Sequence, residues 1–556
     1  MEKRALLAFV LSLLVLVIWQ FFFTPETKQP QKTEAPATPA EQDQKQPSPP
    51  LPLESIAPKS LPQERLGRSD QHFDKWTVDD ALFTMHILAP GARVKSFQVK
   101  KYRQDVNESS PPMELVPTQA TGYLPLAVDL LQHQEWQLST RPFTSQSPKQ
   151  ISVSAGEASP TLALQTDVPE KVRLTKKFNF MPESYVVDLE IHLENLSGEK
   201  LTDQLGISFY SQPFSKGGKD SSYNPSHLAY FEKGSTTTIE TKDILKKEVV
   251  IKPPLDWVAY QDSYFIQGIV PMEKSGYQIV PRVLDAESGL LQIVYLTDPF
   301  EIDALQKKEF KLRLYFGPKE LGQLAKAENR LSEAVDYGWF SILAKPSLYL
   351  LNWLYKFTHN YGIAIILLTI LIKIVFWPLT QKSYQSMQAM KKIQPKIAQV
   401  REKFKDDREK LNQELMNLYR TYKVNPMGGC LPMALQIPVF IALYRMLYGS
   451  VELRHKPFML WINDLTAPDR LDLGFRIPYL SGDPGLPVLT ILMGITMFIQ
   501  QKMTPSSGDP RQEQIMLLMP VVFTFFFLNF PSGLVLYWLI NNILSIVQQY
   551  WINRHA

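Results

Sequence analysis

Lys373 is the residue whose position first calls for chemistry. It lies in "TILIKIVFWPLT", residues 369–380, inside a run from Gly362 to Trp377 that is otherwise apolar except for Thr369. A charged side chain at the centre of a membrane span costs about 2.5 to 3.5 kcal/mol on insertion scales, so its presence requires a compensating feature. Two readings compete. In the first, Lys373 sits about a turn above Pro378 in an outside-to-inside span, and its four-carbon stem snorkels to the cytoplasmic headgroups. In the second, the amine faces a water-filled cavity between helices and is a polar landing point. Thr369, four residues earlier on the same helical face, extends that polar stripe. Gln436, Gln500, Gln501, Tyr537 and Asn541, in other apolar runs, would line the same cavity, because uncompensated polar groups are costly in lipid. Hydrogen bonding between helices is the alternative for each of them singly.

Other chemistry is hard to find. The chain has no "GxxxxGK[ST]", no "HExxH", no "GxSxG" and no metal-spaced pair among its eight histidines. "SKGGKD" at 215–220 lacks both the spacing and the hydroxyl of a phosphate loop. The single cysteine, Cys430 in "NPMGGCLP", excludes an intramolecular disulfide and a cysteine-rich zinc site, and reads as a packing residue. The expectation is a protein that is not an enzyme, with no cofactor and no metal. An energised pump on this chain alone is disfavoured.

The elements that must position Lys373 follow from how composition is distributed. Of the 556 residues 45% are hydrophobic, yet the apolar runs crowd the last 200 positions while charged and polar residues dominate from about 24 to 340. That is the pattern of a soluble domain joined to a membrane domain. A net charge of +4 with no basic stripe gives no nucleic-acid specificity. "MEKR" and 19 mainly apolar residues, Ala5 to Phe23, open the chain. No small-x-small site follows closely, so 1–23 reads as a retained transmembrane anchor rather than a signal peptide, with Lys3 and Arg4 keeping the N-terminus cytoplasmic. Residues 24–65 form a Pro-rich linker, with ten prolines between 24 and 62.

From 66 the chain alternates with period two in segments such as "RVKSFQVKKY", "KVRLTKKFNF" and "EFKLRLYF", punctuated by Gly, Pro, Asn and Asp. This predicts a large antiparallel β-sandwich, closed at 337 by a helical stretch, "ELGQLAKAENRLSEAVDYG". Residues 338–360 are amphipathic and aromatic, as expected of a helix lying along a membrane interface, an ordinary docking helix being the alternative. Transmembrane segments are expected at 361–379, 428–449, 487–503, 515–530 and 534–552, the last two parted by "NFPSG". Several are shorter than the roughly 20 residues that span the hydrocarbon core, and short spans thin the bilayer locally. With the anchor these make six spans and return the C-terminus to the cytoplasm.

Charge in the loops tests that topology. Residues 381–426 carry 11 Lys and Arg against 5 Asp and Glu, which places the 380–427 segment in the cytoplasm. The β-domain and the 450–486 loop then fall outside, in the periplasm of a double-membraned bacterium, and 504–514 is cytoplasmic. Within the basic segment, apolar residues at Met390, Ile393, Ile397, Val400 and Phe404, and then at Leu411, Leu415, Leu418 and Tyr422, recur at helical steps. Two helices and a tight turn predict an antiparallel helical hairpin. Its seam is structural in the simplest reading. Met387 and Met390 with Lys391 and Lys392 otherwise offer soft apolar and basic surface to nascent polypeptide or the ribosome.

The blocks "NPMGGCLPMALQIPVFIALYRML", "GSVELRHKPFMLWINDL", "ILMGITMFIQQKM" and "FPSGLVLYWLINN" closely resemble the YidC family of membrane protein insertases, and the anchor plus large β-domain resembles its Gram-negative branch. The resemblance spans the chain, is strongest from 345 to 552, and over the β-domain is best in "DWVAYQDSYFIQGIVP". It implies a multi-domain protein with a five-helix insertase core within the six spans. A groove open to cytoplasm and lipid is expected, with its positive residue at Lys373 and with Thr369, Tyr537 and Trp538 also on groove positions. It implies insertion and folding of inner-membrane proteins, alone or with the Sec translocon. A sugar-mutarotase-like sandwich that contacts the translocon is implied as well. The family's groove residue is usually arginine, so Lys373 supplies a point charge and no bidentate grip. The chain stops at "WINRHA" without a basic tail, which leaves a tail-mediated ribosome contact without support. Two rivals stay open: a sugar-active or carbohydrate-binding β-domain merely tethered to the membrane, and a small-solute transporter.

Overall fold

The computed structural model describes residues 65–66, 73–107, 109–154, 159–214, 224–405, 407–422, 424, 431–474, 485–503 and 510–555. The anchor at 1–23, the linker up to 64, "SKGGKD", Cys430 and residues 504–509 of the cytoplasmic loop lie outside them.

The β-domain consists of sheets packed face to face. Its largest sheet has eight antiparallel strands in the order Ser235–Ile239, His227–Glu232, Trp257–Gln261, Phe265–Pro271, Lys307–Pro318, Val186–Asn195, Val172–Phe180 and Thr161–Val168. Thr161–Val168 and Val172–Phe180, at one edge, alternate buried residues with more exposed ones, as a sheet wet on one face should; Trp257–Gln261 and Phe265–Pro271 are buried throughout. A five-stranded sheet built on Phe83–Leu88 and Arg93–Arg103 covers part of the large one, with Phe97 meeting Phe316 edge-on at 5.6 Å. One pairing departs from the antiparallel expectation: Lys75–Asp80 runs parallel to Gln150–Val153.

The helical stretch expected near 319–337 is broken. Helix α1 (Thr241–Lys246) is an insertion in the sheets, and α2 (Leu321–Lys326) ends where Glu328, Asn329 and Arg330 take left-handed φ of 60°, 41° and 57°. Three successive left-handed residues cannot continue a right-handed helix. Trp257 fixes the break by donating its indole N–H to Arg330 O at 3.2 Å.

Helix α3 (Ser341–Thr358) buries Ala344, Leu348, Leu351 and Leu354 along one stripe. It leaves Ile342, Tyr349, Trp353 and Phe357 exposed on the other, beside a Trp339 that is 94% exposed. His359 closes it in the left-handed region at φ 49°, and Asn360 opens α4 (Tyr361–Lys403) by accepting from the N–H groups of Gly362 and Ile363. Helix α4 runs 43 residues without a break, passing Pro378 and Pro395, so the expected span at 361–379 and the first arm of the basic segment are one helix. Helix α5 (Arg408–Thr421), capped by Asp407, packs back on its end: Ile393 and Ile397 are buried against Leu415, Leu418, Tyr419 and Val424.

Helices α6 (Leu431–Gly449), α7 (Val488–Met503), α8 (Pro510–Phe527) and α9 (Ser532–His555) complete the chain. Among the described residues only α4 is long and apolar enough, by length and composition, to cross a membrane; Val488–Met503 and Met516–Phe527 are shorter apolar helices.

Candidate functional site

Lys373 reaches α9. It is 7% exposed, and its Nζ donates to Ser545 Oγ at 2.7 Å, while that hydroxyl donates to Asn541 O at 2.7 Å, the ordinary back-bond of a helical serine. Seven residues further along α4, Thr380 Oγ1 accepts from Gln548 Nε2 at 2.8 Å. Two contacts that advance together on both helices mean that α4 and α9 run parallel. The same holds for α7, where Asn542 Nδ2 donates to Thr496 Oγ1 at 3.4 Å and Gln549 Nε2 to Met503 O at 2.8 Å. Helix α6 runs the other way: Phe440 meets Trp538 at 4.5 Å, whereas Tyr444 meets Phe530 at 5.8 Å.

The resulting site is a ladder of polar side chains down the middle of an apolar bundle, with α9 as its rail. Asn541, Ser545 and Gln548, at steps of four and three, share one helical face. Of the sequence-derived candidates Lys373 lies on this ladder, and Asn541 joins it through its backbone carbonyl. Sequence reasoning missed Ser545, Gln548 and Thr380, whose pairing only the packing of α4 against α9 reveals.

The remaining candidates are distributed around it. Thr369 is buried and spends its hydroxyl on Ile365 O at 2.7 Å, so it faces its own backbone. Tyr537 is buried, two turns up α9 from Ser545, roughly 12 Å along the axis. Its neighbour Trp538 points elsewhere, into a cage of Phe440, Phe523 at 6.1 Å and Phe527 at 4.9 Å. Gln436 on α6 and Gln500 on α7 are half-buried, and no contact joins either to Lys373 among the described residues. On the extension of α4, Met387 and Met390 are half-buried, Met390 against the α4–α5 seam, and Lys391 and Lys392 are exposed.

What sets Lys373 apart is what does not accompany it. No carboxylate pairs with it among the described residues, and one serine hydroxyl is the single acceptor found for its three N–H donors. The β-domain holds an instructive contrast in Lys176, fully buried because the strand's alternation turns it inward. Its Nζ donates to Gly91 O and Leu126 O, each at 2.6 Å, and burial pushes the amine well below the usual lysine range. Lys176 is a satisfied core residue. Lys373 is an amine with donors to spare.

Glu190, His192 and Glu309 bring ligand atoms within 4.8 Å on the outer face of the large sheet, but Lys177 and Lys311 already pair with the two carboxylates at 3.3 and 3.2 Å.

The β-domain and helices are tied together around the segment after α6. Arg454 donates to Arg103 O at 2.6 Å and Gln104 O at 3.1 Å, Tyr264 donates to Tyr448 O at 3.3 Å, and Lys345 pairs with Glu333 at 2.8 Å.

Comparison with known proteins matches both halves. The family model for the 60Kd inner membrane protein covers residues 353–556, and that for the YidC periplasmic domain covers 75–350. The membrane protein insertase YidC of Syntrophobacter fumaroxidans is 62% identical over the full length of both chains, and that of Syntrophus aciditrophicus is 39% identical over the full length of both. A solved structure of an active YidC insertase, 16% identical, covers 86% of this chain and 93% of that one at a TM-score of 0.35. Two adjoining family models and full-length identity of this order leave one assignment: the chain belongs to the YidC family of membrane protein insertases.

Proposed function

We propose that the chain is a membrane protein insertase and chaperone of the bacterial inner membrane. It inserts and folds inner-membrane proteins, alone or with the Sec translocon, through a hydrated groove that carries the charge of Lys373. The observation that supports this reading is the amine itself, held between α4 and α9 in an apolar bundle with no paired carboxylate among the described residues. Such a charge is costly unless water reaches it, and once hydrated it attracts the acidic outer end of a short membrane protein.

The substrate's apolar span then slides into lipid along the open flank of the groove. Moving about 20 apolar residues out of water releases roughly 1.5 to 3 kcal/mol for each large side chain, far more than one short polar end costs to carry across. Partition into lipid drives the reaction, so no bond-breaking residue and no nucleotide are needed. The shared direction of α4, α7 and α9 suits six spans with both termini in the cytoplasm, because alternate spans of such a chain point the same way. In that topology the β-domain is periplasmic and available to the translocon. The α4–α5 pair is a cytoplasmic hairpin whose Met387, Met390, Lys391 and Lys392 receive nascent chain or touch the ribosome.

Insertion of a short substrate with an acidic outer end, followed by protease protection, tests the reading. Lys373→Arg should retain insertion and Lys373→Ala should lose it. Full insertion of such substrates by the alanine variant would sink the role of the groove charge. Deleting residues 66–318 should spare essential activity; its complete loss would favour a sugar-active β-domain instead.

A further inference from the structure

Where the β-domain meets the segment after α6, Lys101, Arg103, Arg454, His455 and Lys456 line a cavity of about 510 Å³, with Asp105 the one carboxylate among its lining residues. Lys101 is paired with Glu320 at 2.7 Å. No carboxylate lies within ion-pair distance of Arg103, Arg454 or Lys456 among the described residues.

The cavity wall is a constructed turn. Arg454 has φ −62° and ψ 126°, His455 has φ 56°, and the N–H of Lys456 donates to Leu453 O at 3.1 Å, which is type II geometry with histidine at the position that normally takes glycine. A side chain is kept in that conformation only when its surroundings hold it. Asp464 does so, accepting from the His455 N–H at 3.1 Å, and Arg454 locks the opposite wall through its two bonds to the backbone of Arg103 and Gln104, its guanidinium 5.2 Å above the Phe265 ring. The turn thereby presents three consecutive basic residues to one space. His455 Nε2 lies 3.9 Å from Asp464 Oδ2, and its Nδ1 is buried without a hydrogen-bond partner. Two and three residues beyond Pro457 in the chain, Met459 and Leu460 are exposed, Leu460 by 81%.

Cations around a cavity, a buried ring nitrogen without a partner, and two exposed apolar side chains beside them match one kind of ligand: an oxyanion attached to hydrocarbon. We propose that this cavity binds the phosphate of an anionic phospholipid, with Lys456 and Arg103 as its charged contacts, His455 Nδ1 as a hydrogen-bond partner, and Met459 and Leu460 against the acyl chains. An acidic peptide would use the same charges but would leave Met459 and Leu460 in water. The site would anchor the junction of the two domains to the lipid surface, and it is independent of the groove at Lys373.

The full chain in neutral maltoside micelles tests this, titrated calorimetrically with dihexanoyl phosphatidylglycerol, dihexanoyl phosphatidylcholine, inorganic phosphate and a decapeptide rich in Asp and Glu. Phosphatidylglycerol should bind saturably and at least tenfold more tightly than each of the other three. Lys456→Glu should weaken it at least tenfold, and Lys456→Arg should not. Lys456→Gln carries the same expectation as the glutamate variant if that variant does not fold. Equal binding of the two lipids, unchanged binding by Lys456→Glu or Lys456→Gln, or tighter binding of the peptide would overturn the site. Inorganic phosphate binding as tightly as phosphatidylglycerol would overturn the lipid as its source.

Discussion

Lys373 Nζ and Ser545 Oγ lie 2.7 Å apart, joining two parallel helices 172 residues apart in sequence. The serine positions the amine without neutralising it, since a hydroxyl oxygen accepts the hydrogen bond but carries no charge. An insertase that works by attraction needs that distinction. Ser545→Asp should therefore keep the helix contact, form an ion pair with Lys373, and lower insertion of acidic-ended substrates by about tenfold or more, a figure that corresponds to about 1.4 kcal/mol of lost attraction. Ser545→Ala keeps the charge and should retain insertion at a stability cost of about 1 kcal/mol. Protease-protected substrate and thermal unfolding in micelles, measured for both variants, separate charge from contact.

One turn of the ladder further on, Gln548 and Thr380 offer a hydrogen bond without charge. Bonds of this kind between membrane helices contribute on average about 0.6 kcal/mol, because the partners find alternatives when separated. Thr380→Val and Gln548→Leu should each destabilise slightly. Their coupling in a double-mutant cycle of chemical unfolding should lie between about 0.5 and 1.7 kcal/mol. Insertion should change little, which distinguishes this rung from the one bearing Lys373.

Much of this was legible in advance. Period-two strands, the amphipathic stretch before 361 and the apolar runs are local patterns, and local patterns survive folding when burial follows them. Lys373 was conspicuous for the same reason, being a charge in an apolar run. The partner of that charge was not legible, because Ser545 is an unremarkable residue until α4 and α9 are known to be adjacent. The direction of the Thr369 hydroxyl was not legible either, because its donation to the carbonyl one turn back is a local choice that the sequence does not encode. The helix expected before 337 broke at three left-handed residues fixed by tertiary contacts such as that of Trp257, which no periodicity encodes.

Gly494 on α7 tests how tightly the bundle is closed. A Cβ there would collide with Thr524 Oγ1 and lie 3.2 Å from both Thr524 Cβ and Cγ2, so α7 and α8 approach as closely as they do because the side chain is absent. Gly494→Ala should cost about 1 to 3 kcal/mol, the usual range for overpacking. Thr524→Ala removes the two atoms that can be removed and should restore about half of that loss in the double variant. Denaturant titration of the four proteins in micelles gives the answer; additive losses would show that α7 and α8 do not share this contact.

Glu452 sets a pH dependence at the junction of the two domains. Burial pushes its carboxyl up to about 7, with Glu320 nearby adding to the rise, while the Asn352 side chain and Lys101 oppose it, and its Oε2 has no hydrogen-bond partner. In the unfolded chain this group loses its proton near pH 4.5. Between those values the folded protein holds a proton that the unfolded chain has released, so its contribution to stability falls as pH rises from about 4.5 to 7 and is flat above. The full loss is on the order of 3 kcal/mol. Glu452→Gln keeps the shape of the protonated side chain and should abolish this slope, leaving the variant more stable than the parent at pH 8 and nearly equal to it at pH 4.5. Taking the difference between the two proteins cancels the titrating groups that do not interact with Glu452, so parallel stability curves across that range would show that Glu452 ionises freely in the folded chain.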